Sequence, residues 1–352
     1  MEHDKSLAFR INPIRIEEVI EKSFLAGSEA AEREDVTRLK PIAKARIKEK
    51  ARLRGAAKHL TASLSRLESS IPPRSKLDPF YVELLGILGA GRLEEARLGI
   101  GRARAEIRTL ADRATSKLLR APNPAAMQSI RKTAYGRMSS RARALTPCLD
   151  YLAELAPKLK EVPAIKFGVP TVVIAGYPNV GKTTLLKALT GSAPEIRPFP
   201  FTTKTIQLGY YESRWKEVQV IDTPGLLDRP IEKKNPIELK AIEAIRHLAH
   251  VIVFIVDPTT TCGFLLDEQV ALLRQIRQMF SAPIVVTINK VDIASAQEIE
   301  AARTALAHIS PFLEISSSRE EGILALREAV SSYLIEMAPH LELNAAKQGG
   351  VV

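Results

Sequence analysis

A glycine-rich stretch between an apolar run and a helix-forming run has the residues needed to bind phosphate. The segment GYPNVGKT follows the strand-like run TVVIA and places Gly176, Gly181, Lys182 and Thr183 in the order G-x-x-x-x-G-K-[ST]. Backbone N–H groups in such a turn point at phosphate oxygens, and the N-terminus of the next helix adds its dipole. Lys182 would reach the β- and γ-phosphates of a nucleotide, and the Thr183 hydroxyl would bind Mg²⁺. The remaining residues of the predicted phosphate site are Pro178, Asn179, Val180 and Thr184.

Two further motifs follow in the order and spacing that a guanine nucleotide requires. In VQVIDTPGLL, Asp222 ends a predicted strand where its carboxylate can hold the Mg²⁺ shell, and the Gly225 N–H can sense a γ-phosphate. In VVTINKVD, Asn289, Lys290 and Asp292 end a later strand. The Asp292 carboxylate can accept hydrogen bonds from guanine N1 and N2, which adenine cannot match. A site that leaves polar groups unpaired with the wrong base discriminates strongly.

The elements that must position these motifs alternate between strand and helix from Thr171 onward. Apolar runs of strand length lie at 171–175, 205–211, 217–222, 251–257, 284–289 and 312–315. Helical spacing occupies 182–191, 236–249, 264–280, 295–308 and 321–337. This alternation predicts a mainly parallel six-stranded sheet covered by helices on both faces. Together with the phosphate loop it resembles the Ras-like P-loop GTPase domain.

The residues before this domain predict an all-α bundle. Helical spacing covers 15–33, 41–69, 79–89, 93–119 and 125–157. We expect a break in the last helix near 136–140, and Pro147 and Pro157 are further places where it could be interrupted or end. We therefore predict a helical bundle domain at 1–160, a linker at 161–170, a GTPase domain at 171–340 and a flexible tail at 341–352.

The net charge of +11 lies in the N-terminal half. Residues 1–168 contain 33 Lys and Arg against 20 Asp and Glu, whereas the remainder contains 18 against 20. Such asymmetry indicates a polyanionic partner for that half. In residues 41–67, Lys and Arg surround a narrow apolar stripe that begins at Ile42 and is interrupted by Glu49. No aromatic residue stands between these cations, which favours binding of folded or duplex RNA over stacked single strands. The RNA-binding candidates are Lys44, Lys48, Arg52, Arg54 and Lys58.

Composition also limits the setting of the protein. No apolar run approaches the ~18–20 residues of a membrane span. The N-terminal residues carry acids and lack an apolar signal core, and two cysteines give neither a disulfide framework nor a metal spacing. These features predict a cytoplasmic protein.

The three nucleotide motifs together resemble the translation-factor class of GTPases. PFPFTTKTIQLGYY resembles the first switch of the Obg-related branch, and this resemblance implies that Thr203, or its neighbour Thr202, closes on Mg²⁺ in the GTP state. EISSSREEGI resembles the last guanine-contacting loop, with Ser316, Ser317 and Ser318 at its S-A-K positions.

The whole chain resembles the Nog family of nucleolar GTP-binding proteins and their archaeal relatives. The resemblance rests on GYPNVGKTTLL, PFPFTTKT, VIDTPGLLDRP, IELKAIEAIRHL, VDPTTTCGF and NKVD, and it extends over the preceding helical domain. It implies a GTPase of large ribosomal subunit assembly that uses GTP, GDP and Mg²⁺. The implied partners are the large subunit or its precursor, ribosomal RNA, ribosomal proteins and other assembly factors. The chain ends about where the GTPase domain does, as in a short archaeal-type form, and we expect a monomer without membrane attachment.

The sequence lacks one residue that Ras-like enzymes use for GTP hydrolysis. Leu226 stands where Ras-like enzymes place the glutamine that orients water, so we expect slow intrinsic turnover. Asn179 lies where related GTPases place a potassium ligand, and a role in K⁺ binding and a purely structural role in the loop are both open. The residues expected to act in hydrolysis are Lys182, Thr203, Gly225 and Asn179.

Two other functions remain as alternatives, a GTPase partner in tRNA modification and a membrane-surface switch. The first would need a cofactor-handling domain, which the sequence does not show. The second would need exposed aromatic or leucine side chains beside the basic helices. The single tryptophan, Trp215, lies in the GTPase half instead.

Overall fold

The computed structural model describes residues 11–160, 165–166, 169–198, 205–213, 217–309 and 311–349, with side chains placed up to residue 337. Contacts between Cα atoms divide these residues into two compact units. One is built from residues 11–75 and 89–160, and the other from residues 76–88 and from 165 onward.

In the part of the chain before the first strand that the structure describes, there are six α-helices. Their bounds are α1 Ile16–Glu32, α2 Pro41–Ser69, α3 Pro79–Ile87, α4 Leu93–Leu119, α5 Pro124–Arg143 and α6 Thr146–Lys160. All except α3 belong to the helical unit. Helix α2 is central, because it packs against α1, α4 and α5. Its core face is formed by Leu53, Leu60 and Leu64, whereas Ile42, expected on the same face, is 46% exposed.

The predicted helix 125–157 is in fact two helices. The break lies at Ala144 and Leu145, next to the expected interruption at Pro147, and the break expected at 136–140 is wrong. The hydroxyl of Thr146 donates to the carbonyl of Arg143, which closes the end of α5. Pro147 then lies in the first turn of α6, where the missing N–H costs no helical hydrogen bond. The serines and glycine of 136–140 continue the helix without interruption.

Helix α3 was expected in the bundle, but it belongs to the other unit and packs on helix α8 (Pro236–Leu248). It is apolar on most of its circumference, and Phe80, Tyr81 and Leu84 are buried. A short helix that is apolar all round must be covered on several sides. Part of the predicted linker is anchored to it, because the Ile165 N–H donates to the Tyr81 hydroxyl at 3.4 Å.

The described residues of the second unit contain a seven-stranded sheet in the order β2-β3-β4-β1-β5-β6-β7. The strands are β1 Thr171–Ala175, β2 Glu195–Pro198, β3 Thr205–Glu212, β4 Glu217–Asp222, β5 Val251–Val256, β6 Ile284–Ile288 and β7 Phe312–Glu314. Strands β4, β1, β5, β6 and β7 pair in parallel, and β2 and β3 pair antiparallel at one edge. The sheet has one strand more than expected. Strand β2 reads EIRP, which is short and polar and ends in proline, so it has no apolar run to signal it.

The helices of this unit are α7 Lys182–Thr190, α8 Pro236–Leu248, α9 Leu266–Met279, α10 Ala296–Leu306 and α11 Ile323–Gly349. Their starts follow capping rules: Asn235 and Glu238 cap α8 reciprocally, as Ser295 and Glu298 cap α10. Helix α11 continues through most of the predicted flexible tail 341–352, where leucine, alanine and glutamate are good helix formers. Among the described residues, no helix combines the length and the apolarity that crossing a bilayer requires.

Candidate nucleotide site

The phosphate loop joins β1 to α7 at the carboxyl edge of the sheet. Gly176 and Gly181 have φ angles of +139° and +107°. A Cβ atom at Gly176 would lie 2.7 Å from the Ile255 carbonyl, and one at Gly181 would lie 2.3 Å from the Asn289 side-chain nitrogen. Both positions therefore require glycine. Asn179 is exposed with φ +61°, a conformation that asparagine tolerates.

Lys182 lies folded into this loop. Its ammonium group donates to the carbonyls of Gly176 at 2.8 Å and Tyr177 at 2.7 Å, and the residue is 8% exposed. Burial lowers the pKa of Lys182, while the nearby carboxylates of Asp222 and Asp228 act in the opposite direction. The ammonium therefore provides a desolvated positive charge at the place where the phosphates are expected.

The two residues predicted to bind Mg²⁺ lie next to each other. The Thr183 hydroxyl donates to Oδ2 of Asp222 at 3.1 Å, and Asp222 is fully buried. Its other oxygen, Oδ1, is buried without a hydrogen-bond partner among the described residues. Burial raises the pKa of this carboxyl group. A hydroxyl beside an unsatisfied carboxylate oxygen suits a hard cation such as Mg²⁺. The predicted switch residues Thr202 and Thr203 lie outside the described residues.

The D-x-x-G segment lies against the phosphate loop. The Gly176 N–H donates to the Leu227 carbonyl at 3.1 Å. Leu226 and Leu227 are both buried, so neither side chain can orient water. The Gly225 N–H donates to Oδ2 of Asp228 at 2.7 Å. Sequence reasoning did not single out Asp228, which has an ordinary polar position in the motif and is revealed only by this contact.

Asn289 connects the phosphate loop to the last loop of the predicted guanine site. Its side-chain amide donates to the Val180 carbonyl at 2.8 Å. Its side-chain oxygen accepts from the backbone N–H and the hydroxyl of Ser317, each at 2.9 Å. The N-K-x-D and S-S-S segments are therefore brought together as the resemblance implied. Pro178 and Thr184 lie at the rim of the loop, half-buried and exposed respectively.

Asp292 is held in position by two serines. Its carboxylate accepts from the hydroxyls of Ser316 at 2.7 Å and Ser318 at 3.2 Å. The hydrogen bond from Ser316 is the main reason why the pKa of Asp292 lies below its ordinary value. The group is therefore ionised at neutral pH and able to accept two hydrogen bonds from a guanine edge.

Lys290 is fixed by a loop whose role the sequence did not reveal. It has φ +62°, and its ammonium donates to Oδ2 of Asp257 at 2.7 Å and to the Thr261 hydroxyl at 2.8 Å. Asp257 directly follows strand β5 and opens the segment DPTTTCGF. The far end of that segment contacts the phosphate loop, because the rings of Phe264 and Tyr177 lie 4.1 Å apart. The sequence signal that could have indicated this role is a polar run directly after a buried strand, at the carboxyl edge of the sheet.

Five loops thus converge at the carboxyl edge of a mainly parallel sheet, and this arrangement defines the class of P-loop GTPases. Residues 171–290 match the family model described as 50S ribosome-binding GTPase, and residues 11–166 match the model of the NOG1 N-terminal helical domain. An uncharacterized protein of Methanocaldococcus jannaschii is 39% identical, over 81% of this chain and 80% of its own length. The chain belongs to the Nog family of GTP-binding proteins.

Other relatives are more distant and longer. Nucleolar GTP-binding protein 1 is 28% identical in Encephalitozoon cuniculi, over 87% of this chain, and 29% identical in Arabidopsis thaliana, over 81%. The alignments span 58% and 45% of those proteins, so the chain covers about half of their length. A crystal structure described as nucleolar GTP-binding protein 1 from Plasmodium falciparum is 27% identical, with a TM-score of 0.45 over 53% of this chain and 97% of that one.

Proposed function

We propose that this protein is a slow GTP-hydrolysing switch that acts in large ribosomal subunit assembly and docks on ribosomal RNA through its helical unit. The observation that carries the GTPase part is the convergence of Lys182, the Thr183–Asp222 pair and Asp292 at one edge of the sheet. Family membership and the positive charge of the N-terminal half support the ribosomal part.

The residues divide the chemistry of phosphoryl transfer among them. Catalysis of this reaction consists mainly of positioning and charge stabilisation. Lys182 would bind the β- and γ-phosphates, and Thr183 and Asp222 would hold Mg²⁺, with Thr203 as the third protein ligand. Mg²⁺ neutralises charge on the phosphate oxygens when it is bound. Because Leu226 is buried, no side chain at that position orients the attacking water, and turnover should be slow without a further component.

Guanine selectivity tests the nucleotide assignment directly. Binding of fluorescent GDP would be measured in competition with GTP and with ATP. The Asp292 carboxylate should give GTP an advantage of at least about a hundredfold, because adenine offers it no donors in the places of guanine N1 and N2. Comparable competition by ATP would reject the guanine site.

The surface that we propose for RNA is a groove between α2 and α4. Arg54 and Lys58 of α2 line it together with Arg104 and Arg108 of α4. Arg104 forms an ion pair with Glu68 at 2.9 Å, whereas the other three cations have no ion-pair partner among the described residues. Groups that are not already neutralised are the ones that can release counterions from RNA phosphates. Lys44 is exposed and Lys48 half-buried elsewhere on α2, and both remain candidates.

Arg52 is less available than the sequence suggested. Glu49 is buried and pairs with both Arg52 and Arg131, the latter at 2.5 Å. Arg52 therefore neutralises an acid that the helical pattern had placed on the apolar stripe. A charge reversal at Arg52 would set two carboxylates side by side in a half-buried position, and any loss of RNA binding could then reflect unfolding.

The docking experiment therefore uses Arg54→Glu, Lys58→Glu and Arg108→Glu together. Sedimentation with large ribosomal subunits should show weaker association, with a salt dependence reduced by about 0.9 per lost duplex phosphate contact. GDP binding should not change. The matched control reverses the same number of exposed charges at Lys233, Lys240 and Arg274 in the other unit. Equal losses in both triple variants would show a general charge effect and reject the groove.

A further inference from the structure

The backbone group expected to sense a γ-phosphate already has a partner inside the protein. The Gly225 N–H donates to Oδ2 of Asp228 at 2.7 Å, across three residues of the same segment. Asp228 is nine-tenths buried, and its Oδ1 has no hydrogen-bond partner among the described residues. The carboxylate is thus held by one strong backbone hydrogen bond and keeps an unsatisfied oxygen.

Asp228 also acts on the phosphate end of the site through its charge. Its carboxylate lies within electrostatic reach of both Lys182 and Asp222. The carboxylates of Asp222 and Asp228 are therefore both attracted by the same ammonium group, that of Lys182. A nucleotide γ-phosphate needs the same lysine and the same Gly225 N–H.

We propose that Asp228 sets the preference between GDP and GTP by occupying the γ-phosphate position until GTP displaces it. The inference rests on the proposed function, because it assigns a γ-phosphate to the Gly225 N–H. A diphosphate leaves the Gly225–Asp228 hydrogen bond intact. A triphosphate brings negative charge beside the carboxylate, and like charges at hydrogen-bond distance in a buried site repel strongly. GTP binding must therefore move Asp228 away.

A displacement of Asp228 can be transmitted from the nucleotide site to helix α8. Arg229, the next residue, forms an ion pair with Glu238 at 2.6 Å, and Glu238 caps the start of α8 together with Asn235. A movement of Asp228 therefore acts on the first turn of α8, and α8 packs against α3. The γ-phosphate is in this way linked to a helix that sequence patterning alone assigned to the bundle.

The test is the affinity of Asp228→Asn for GDP and for a non-hydrolysable GTP analogue. The substitution keeps the volume and removes the charge. The unmodified protein should prefer GDP. The variant should gain about tenfold in affinity for the analogue relative to GDP, while GDP affinity itself changes less than about twofold. Asp267→Asn, which removes an exposed carboxylate on α9, is the matched control and should leave the ratio unchanged.

Asp228→Ser, which removes the charge with a small polar side chain, gives the same comparison if the asparagine variant does not fold. An unchanged ratio of the two affinities in a folded variant that binds GDP would overturn the role of Asp228. Failure of the unmodified protein to bind either guanine nucleotide would instead overturn the proposed function, and the inference with it.

Discussion

Replacement of Asp257 by alanine should damage both the stability of the GTPase unit and its guanine site. The Asp257 side chain is fully buried and accepts from Lys290, from the hydroxyls of Thr259 and Thr261, and from the backbone N–H groups of Thr259 and Cys262. Removing one member of a buried ion pair costs about 3–5 kcal/mol, because the other charge stays uncompensated. Lys290 is 21% exposed and can reach water, so we expect about 3 kcal/mol.

A loss of that size is readily measured. For a unit of this length it corresponds to a fall in Tm of about 6–12 °C. GDP affinity should fall about tenfold as well, since Lys290 loses the contact that fixes it beside Asn289 and Asp292. Thermal unfolding with and without GDP measures both effects, and Asp267→Ala, an exposed carboxylate, should change stability by no more than about 0.5 kcal/mol. An Asp257→Ala protein that unfolds within about 1 kcal/mol of the unmodified chain and binds GDP equally would refute the anchoring role.

The same carboxylate gives stability a defined pH dependence. Burial acts to raise the pKa of Asp257, but the hydrogen bonds from Lys290 and Thr259 outweigh it, and the pKa is lowered. A carboxyl group whose folded pKa is depressed contributes its stability above its unfolded pKa of about 3.9 and loses it as the pH falls through the folded value. Asp257→Asn should therefore reduce the acid sensitivity of unfolding below about pH 4, measured against the unmodified protein.

Four further substitutions test the remaining assignments. Asp292→Asn should shift preference from guanine to xanthine nucleotides, measured by competition, because the amide reverses the donor and acceptor needs; an unchanged preference would contradict the base contact. Lys182→Ala and Thr183→Ala should each weaken triphosphate binding and abolish turnover, and surviving turnover in either variant would show that the phosphate loop is assigned wrongly. Replacing Na⁺ by K⁺ at constant ionic strength should raise phosphate release, and Asn179→Ala should remove the difference; equal rates in both salts would leave Asn179 a structural residue.

The sequence predicted those parts of the site that a local pattern encodes. Gly176 and Gly181 are needed for backbone geometry. Asp222 and Asn289 end predicted strands and Asp292 closely follows one, so motif and strand position together place them at one edge. The resemblance to known GTPases also placed Ser316, Ser317 and Ser318 in the last guanine-contacting loop. Their contacts with Asn289 and Asp292 are not evident from spacing along the chain.

The parts that the sequence did not predict depend on contacts between distant segments. Asp257 looks like any polar residue after a strand until Lys290, 33 positions later, donates to it. Glu49 looks like an error in an apolar stripe until Arg131 of another helix pairs with it. Helix α3 has the spacing of a bundle helix, and only its packing on α8 assigns it to the other unit. Periodicity reports which face of a helix is buried, but not what buries it.

The two ends of the nucleotide site differ in how far they are organised in the structure. At the guanine end the ligating side chains are already held by hydrogen bonds within the protein. Asn289 bonds to Val180, Lys290 to Asp257 and Asp292 to Ser316. At the phosphate end the groups that should contact the γ-phosphate are bound to the protein itself, Lys182 to Gly176 and Gly225 to Asp228. Base and sugar can therefore bind with little rearrangement, whereas the third phosphate must break internal contacts. A ligand shifts a conformational equilibrium only by its differential affinity for the two states. The contacts that distinguish GTP from GDP are concentrated at Gly225 and Asp228, and the conformational change between the two nucleotide states should begin there.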